Sequence, residues 1–160
     1  MDLRAAQRPL KERYRSEPGA ARITLTARGI EDANAATCSV DIGRAVYEAQ
    51  AHTGVGGPGT APCSGDLLLG ALAACAQVTC QMVAAASGIL TTKIEVTVEG
   101  SLDLRGTLGI DREVPVGFEE ITVHFDVEGA GDRLGELLEK TERYCTVLQT
   151  LRSPPAIELR

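Results

Sequence analysis

Between Asp66 and Lys93 the chain carries no charged side chain, and any fold must first place that run. It is long enough to cross a bilayer. Its composition argues against that: it is rich in Ala, a poor driver of insertion, and carries Gln77, Thr79 and Gln81 near its middle. The expectation is a helix over Leu67–Ala86, buried on most sides. Leu68, Leu72, Cys75, Thr79, Met82 and Ala86 recur at spacings of four and three, which marks one helical face. The other faces are apolar as well. Ser64, after Pro62, is the expected N-cap, and Asp66 falls in the first turn, where an acid complements the helix dipole. Gly88 is the expected stop.

On both sides of this run the periodicity changes to two, the signature of strands. Arg22–Arg28 alternates Ile23 and Leu25 with Thr24 and Thr26. Thr37–Ile42 places Cys38, Val40 and Ile42 on one face, and Gly43-Arg44 turns into Ala45–Gln50. Together they predict an antiparallel meander. Lys93–Gly100 points Ile94, Val96 and Val98 inward, and Glu120–Val127 does the same with Ile121, Val123, Phe125 and Val127. Between them, Asp103–Gly109 reads as a continuation and turn. A second helix starts near Asp132, with Leu134, Leu137, Leu138, Thr141, Cys145 and Leu148 as its stripe. Ser153-Pro154-Pro155 breaks it, and Ala156–Leu159 is a short closing strand. The class is α+β, with antiparallel strands and two principal helices. At 160 residues the chain is one domain: a polar arm over 1–20, with a turn at Glu17-Pro18-Gly19, precedes the domain over 21–160.

Several function classes are disfavoured. With 16 basic and 22 acidic residues the net charge is −6, so no basic footprint for nucleic acid or for an anionic membrane exists. No Trp, two Phe and three Tyr leave little for stacking bases. The charged Met1–Arg15 stretch lacks the apolar segment of a signal peptide, and a cytoplasmic location is expected. Gly54, Gly56 and Gly59 fit G-x-G-x-x-G, but Pro58 and Pro62 interrupt and no acid follows between Asp66 and Glu95. That is not a dinucleotide site; a connector or a lid fits better. There is no Cys-x-x-Cys, and His52 and His124 stand far apart, so no metal site or other cofactor is expected. No Gly-x-Ser-x-Gly elbow supports a serine hydrolase.

The cysteines carry more. Cys38, Cys63, Cys75, Cys80 and Cys145 make an odd count, which argues against a structural disulfide framework. Cys75 and Cys80 point roughly 140° apart on one helix and cannot bond to each other. Cys75 lies on the Leu68/Leu72/Met82 seam, and Cys145 on the stripe of the second helix; if the helices pack face to face, the two thiols meet. A buried cysteine is otherwise a small hydrophobe, the expected role of Cys38 and Cys80. Cys63, at the start of the helix, competes as a second thiol.

Pro62-Cys-Ser-Gly-Asp-Leu-Leu-Leu-Gly-Ala-Leu-Ala-Ala-Cys75, Leu102-Asp-Leu-Arg-Gly-Thr-Leu-Gly109, Gly117-Phe118 before a strand, and Thr141-Glu-Arg-Tyr-Cys145 together resemble the OsmC/Ohr family. These are the osmotically inducible and organic-hydroperoxide-resistance proteins. The resemblance runs over roughly residues 20–160. It implies an intertwined homodimer in which antiparallel sheets wrap two long central helices, with active sites at the dimer interface. It also implies a peroxidase. A peroxidatic Cys, matched by Cys75, attacks an organic hydroperoxide. A resolving Cys, matched by Cys145, traps the sulfenic acid as a disulfide, and a dithiol reductant, often a lipoyl protein, restores both thiols. The family activates its thiol with an Arg held by a Glu at the start of the central helix. The position of that Glu is Gly65 here, with Asp66 next to it as a substitute. Arg28 and Arg44 are the candidate cations. The residue after the resolving Cys, usually Pro in the family, is Thr146. Two other readings stay open: a non-catalytic dimer that binds an apolar small ligand, and a thiol redox sensor.

Overall fold

The charge-free run forms one helix, α2 (Ser64–Ser87), and both of its ends are built from local bonds. At the start, the backbone N–H of Cys63 donates to Asp66 Oδ2 at 2.8 Å. An acid reaching back from the first turn to the residue before the helix is half of a capping box. Ser64, the expected cap, is instead the first helical residue. At the end, Gly88 takes φ 64°, with Gly88 N–H donating to Ala85 O and Ile89 N–H to Ala84 O. That pair of bonds is a Schellman stop, and it requires the left-handed residue that glycine supplies. By length and composition α2 could cross a membrane.

Residues 3–24, 27–31, 37–42 and 45–160 are described in a computed structural model. They divide into two compact units, the first Met1–Ile23, Ala71–Thr97 and Val123–Arg160, the second Thr24–Gly70 and Val98–Thr122.

In the first unit, the polar arm carries helix α1 (Leu3–Ser16). The core collects Cys80, Val83, Ala84, Ile89, Ala130 and Leu137, with Ile94, Phe125 and Val127 packed against it. Small side chains dominate, as a composition almost without aromatics requires. Arg133 clips the end of α2, its Nη1 donating to Ser87 O at 3.3 Å and Gly88 O at 3.4 Å. Glu136 holds that guanidinium at 2.9 Å and Lys140 Nζ at 2.6 Å.

The second unit holds the expected meander: β1 (Arg28–Glu31), β2 (Thr37–Asp41) and β3 (Val46–Gln50) pair antiparallel in that order. Arg28 faces Asp41 and Thr37 faces Gln50 in the registers. The first strand begins at Arg28 and not at Arg22: residues 22–24 are irregular, and Ile23 is 76% exposed. Leu25 and Thr26, like the Gly43-Arg44 turn, lie outside the described residues. The glycine-rich stretch is a folded loop. Buried Gln50 organises it, with Oε1 accepting from Thr60 N–H at 3.0 Å and Ala61 N–H at 3.2 Å. A side chain at Gly57 would sit 1.6 Å from Ala51 O, so the chain closes on itself only with glycine there.

β4 (Lys93–Ser101) and β5 (Glu120–Glu128) form the second sheet. Thr92 N–H donates to Glu128 O and Glu119 N–H to Ser101 O, so they run antiparallel. Burial alternates along both as expected. Between them, Asp103 caps a short helix, α3 (Leu104–Thr107), by accepting the Arg105 N–H at 2.9 Å, where a turn was expected.

The second long helix is two helices. α4 (Leu134–Tyr144) follows a 3-10 turn at Gly131–Arg133 and lacks the Asp132 side-chain cap; α5 (Thr146–Arg152) follows Cys145. The expected closing strand at Ala156–Leu159 does not form, and Ile157 and Leu159 are 82% and 97% exposed.

Candidate active site

Cys145 is the one residue between α4 and α5, with φ −72° and ψ 102°. Its N–H closes α4 on Thr141 O at 2.9 Å, and its carbonyl opens α5 by accepting the Gln149 N–H at 2.9 Å. The break has a chemical consequence. The first N–H groups of a helix have no acceptor within it, and those of Thr146 and Val147 are supplied here beside the Cys75 sulfur, in the same unit.

Cys75 is half-buried on α2, and Cys145 is fully buried. Burial raises the Cys75 thiol. Against it act, in order, the N–H of Val147, the thiol of Cys145, the hydroxyl of Thr79 and the N–H of Thr146, and together they hold it below its ordinary value. Cys145 moves the other way: burial pushes it up, and giving its proton to Cys75 adds to the rise despite N–H groups of Leu148 and Val147. One thiol is therefore the readier nucleophile and its neighbour the proton donor, the asymmetry a two-thiol redox site needs. The thiols that the sequence allowed to meet do meet.

Thr79, one turn after Cys75, and Thr146 also line a cavity of about 680 Å³, with Met82, Lys11, Lys140 and Tyr144 in its wall. A small molecule in that cavity reaches two of the four residues that hold the Cys75 sulfur.

The other expected site residues belong to the second unit or lie outside the described residues. Asp66 belongs to the second unit. It is exposed, and its carboxyl is held low first by the N–H and then by the thiol of Cys63; it works as a first-turn helix acid. Arg28 is on β1, in the second unit, and Arg44 lies outside the described residues. The described groups that lower Cys75 are N–H groups, a hydroxyl and a thiol; none is a guanidinium. Cys80 is fully buried, its thiol pushed up by burial and held by Thr141, as expected of core packing. Cys63 is half-buried and free. Among the described residues no three His, Cys, Asp or Glu side chains gather as a metal site would need.

Sequence reasoning missed the Thr146 and Val147 N–H groups, which no side chain announces. Thr79 could have been found: four residues after Cys75, it sits over it on one helix face.

The family described as OsmC-like protein matches residues 57–160. Among solved structures, the chain is similar to an OsmC-like protein of Mycoplasma pneumoniae at 19% identity and TM-score 0.68, covering 82% of this chain and 89% of that one. An organic hydroperoxide resistance protein OsmC from Legionella pneumophila is similar at 22% identity and TM-score 0.65, covering 83% and 92%. An organic hydroperoxide resistance protein from Elizabethkingia anophelis, crystallised with thiocyanate, is similar at 20% identity and TM-score 0.65, covering 84% and 91%. No curated protein is significantly similar in sequence. With most of the chain matched by the family and the fold shared along its length, the protein belongs to the OsmC-like family.

Proposed function

We propose that the protein is a thiol peroxidase that reduces organic hydroperoxides through Cys75 and Cys145. The observation that carries the reading is that Cys75 and Cys145 act on each other, the Cys75 thiol held below its ordinary value and the Cys145 thiol pushed above it. The Cys75 thiolate attacks the terminal oxygen of R-O-O-H, the O–O bond breaks, and the departing alkoxide takes a proton to leave as an alcohol. Cys75 is then a sulfenic acid. Cys145 attacks that sulfur, the S–S bond forms, and water leaves with the Cys145 proton. The protein has lost two electrons, and a dithiol returns them by two thiol–disulfide exchanges, ending as its own disulfide. The similarity to proteins named for organic hydroperoxide resistance supports the substrate class.

A homodimer with the sites at its interface belongs to the same proposal. Val78 on α2 is 51% exposed and Met82 is 38% exposed, an apolar surface that a partner copy would cover. Sedimentation of a monomer at micromolar concentration contradicts it.

The reaction is tested by mixing reduced protein with cumene hydroperoxide and counting thiols. Two are lost per chain, none is lost in Cys75→Ser, and Cys145→Ser accumulates a dimedone-reactive sulfenic acid at Cys75. Thiols untouched by the peroxide refute the reading. Thiols that oxidise but are not turned over by any dithiol reductant point to a sensor.

A further inference from the structure

The lining of the cavity beside Cys75 runs along α2 from Thr79 to Ser87. Those residues are about 12 Å apart by helix rise. Thr79, with Thr146 from α5, forms the end that holds the Cys75 sulfur. Met82, Val83 and Ala86 make an apolar floor between the ends.

The Ser87 end is cationic. Lys140 Nζ lies 3.4 Å from Ser87 Oγ and 2.6 Å from Glu136 Oε1. An ammonium has three donors, so one stays open. Glu136 does not neutralise it, because Arg133 shares the same carboxylate at 2.9 Å. That carboxyl is held below its ordinary value by Lys140 first and Arg133 next, so two cations divide one anion. Lys11 brings a second ammonium into the lining from α1, four residues after Gln7 and on the same helix face. Among the described residues its ammonium enters no ion pair. The groups that lower the Cys75 thiol are N–H groups, a hydroxyl and a thiol. Both ammoniums therefore stand back from the sulfur, where they meet the far end of a ligand.

We propose that Lys11 and Lys140 select compact organic hydroperoxides that carry a carboxylate at the end remote from the O–O bond. The hydroperoxy end reaches Thr79 and Thr146, and the body covers Met82, Val83 and Ala86. The carboxylate takes charge-assisted hydrogen bonds from the two ammoniums. It is a spectator in the chemistry: the O–O bond breaks as it does for a neutral peroxide, and the product is the corresponding hydroxy acid. The cavity, about 680 Å³, has the size of a small-molecule site. The inference rests on the peroxidase reading for its reaction and adds the charge of the substrate. Lys11 lies outside residues 57–160, which the family matches, so half of this selection comes from the chain's own first helix.

The test compares, on the full chain, cumene hydroperoxide with its para-carboxylate, two peroxides alike around the O–O bond. At low salt the carboxylate has a kcat/KM about fivefold higher, through a lower KM, and added salt narrows the gap. Lys11→Met lowers the carboxylate-to-neutral ratio about twofold, Lys11→Arg keeps it, and Lys11→Met with Lys140→Met brings it to about one. A ratio taken within one variant does not depend on how much of that variant folds. Binding is read without turnover by 4-isopropylbenzoate, which has no O–O bond. It protects Cys75 from iodoacetamide about fivefold more effectively than neutral 4-isopropylbenzyl alcohol does. Equal kcat/KM for the two peroxides, unmoved by the lysine variants, overturns the inference and leaves the peroxidase reading standing, as does equal protection by acid and alcohol. Neither peroxide reduced, with protection by the benzoate intact, refutes the peroxidase reading and upholds the anion-selective site.

Discussion

Replacing Thr146 by Pro isolates one of the groups that hold the Cys75 sulfur. The position is the first residue of α5, and Cys145 before it has ψ 102°. Proline is accepted at a helix's first position, and the residue before it prefers that extended backbone. The fold should tolerate the change while one N–H is lost from the sulfur. A hydrogen bond to a charged group is worth about 1.5–3 kcal/mol. The low end applies, because the Val147 N–H, the Cys145 thiol and the Thr79 hydroxyl remain. About 1.4 kcal/mol is a factor of ten, so the thiolate fraction at neutral pH falls about tenfold. The thiolate left is more basic and therefore more nucleophilic, and a Brønsted slope of about 0.4–0.5 returns roughly threefold. The net expectation for Thr146→Pro is alkylation of Cys75 by iodoacetamide about three- to fourfold slower at neutral pH and about threefold faster on the alkaline plateau. Peptide-resolved mass spectrometry across a pH series reads both. The two profiles must cross. Profiles that coincide, or a variant slower at every pH, refute the idea that this N–H stabilises the thiolate.

Asp66→Asn keeps an acceptor for the Cys63 N–H and removes the charge. The Asp66 carboxyl lies below its ordinary value of 3.8 because Cys63 bonds to it. Its ionised form therefore stabilises the fold above that value, and the benefit disappears as pH falls through the lower folded value. The variant should unfold at lower urea than the parent at pH 7, by no more than about 1 kcal/mol for an exposed first-turn charge, and the gap should close in acid. A gap that persists unchanged below pH 3 contradicts this. Leu137→Ala, at a fully buried site, should cost about 2–5 kcal/mol in urea unfolding; a loss under about 1 kcal/mol would mean the core is not packed around it.

What could be read in advance followed from repeated side-chain patterns. Alternation placed β4 and β5 within a residue of their ends, and the charge-free run placed α2, since each rests on many residues agreeing. The errors lie where one residue's backbone decides. The 3–4 spacing of Leu134, Leu137, Leu138, Thr141, Cys145 and Leu148 continues through the break at Cys145, because a stripe records which faces are apolar and not the ψ of one link. α3 escaped notice because a single bond from Asp103 starts it and Gly106 signals a turn. The closing strand did not form because Ile157 and Leu159 have the right residue types but pair with none of the described strands. At the site, the two cysteines were legible as chemistry, whereas the N–H groups facing them belong to the backbone of every residue and leave no trace in the letters.

The joint between α4 and α5 bears on the mechanics of oxidation. A sulfur–sulfur bond imposes its own separation and torsion on the residues it links, and Cys75 is fixed inside α2, so the adjustment falls to Cys145. Cys145 already sits on a swivel. In the oxidised form its torsions can adjust while the helices on either side keep their ladders, so far-ultraviolet circular dichroism of the two redox forms should superimpose.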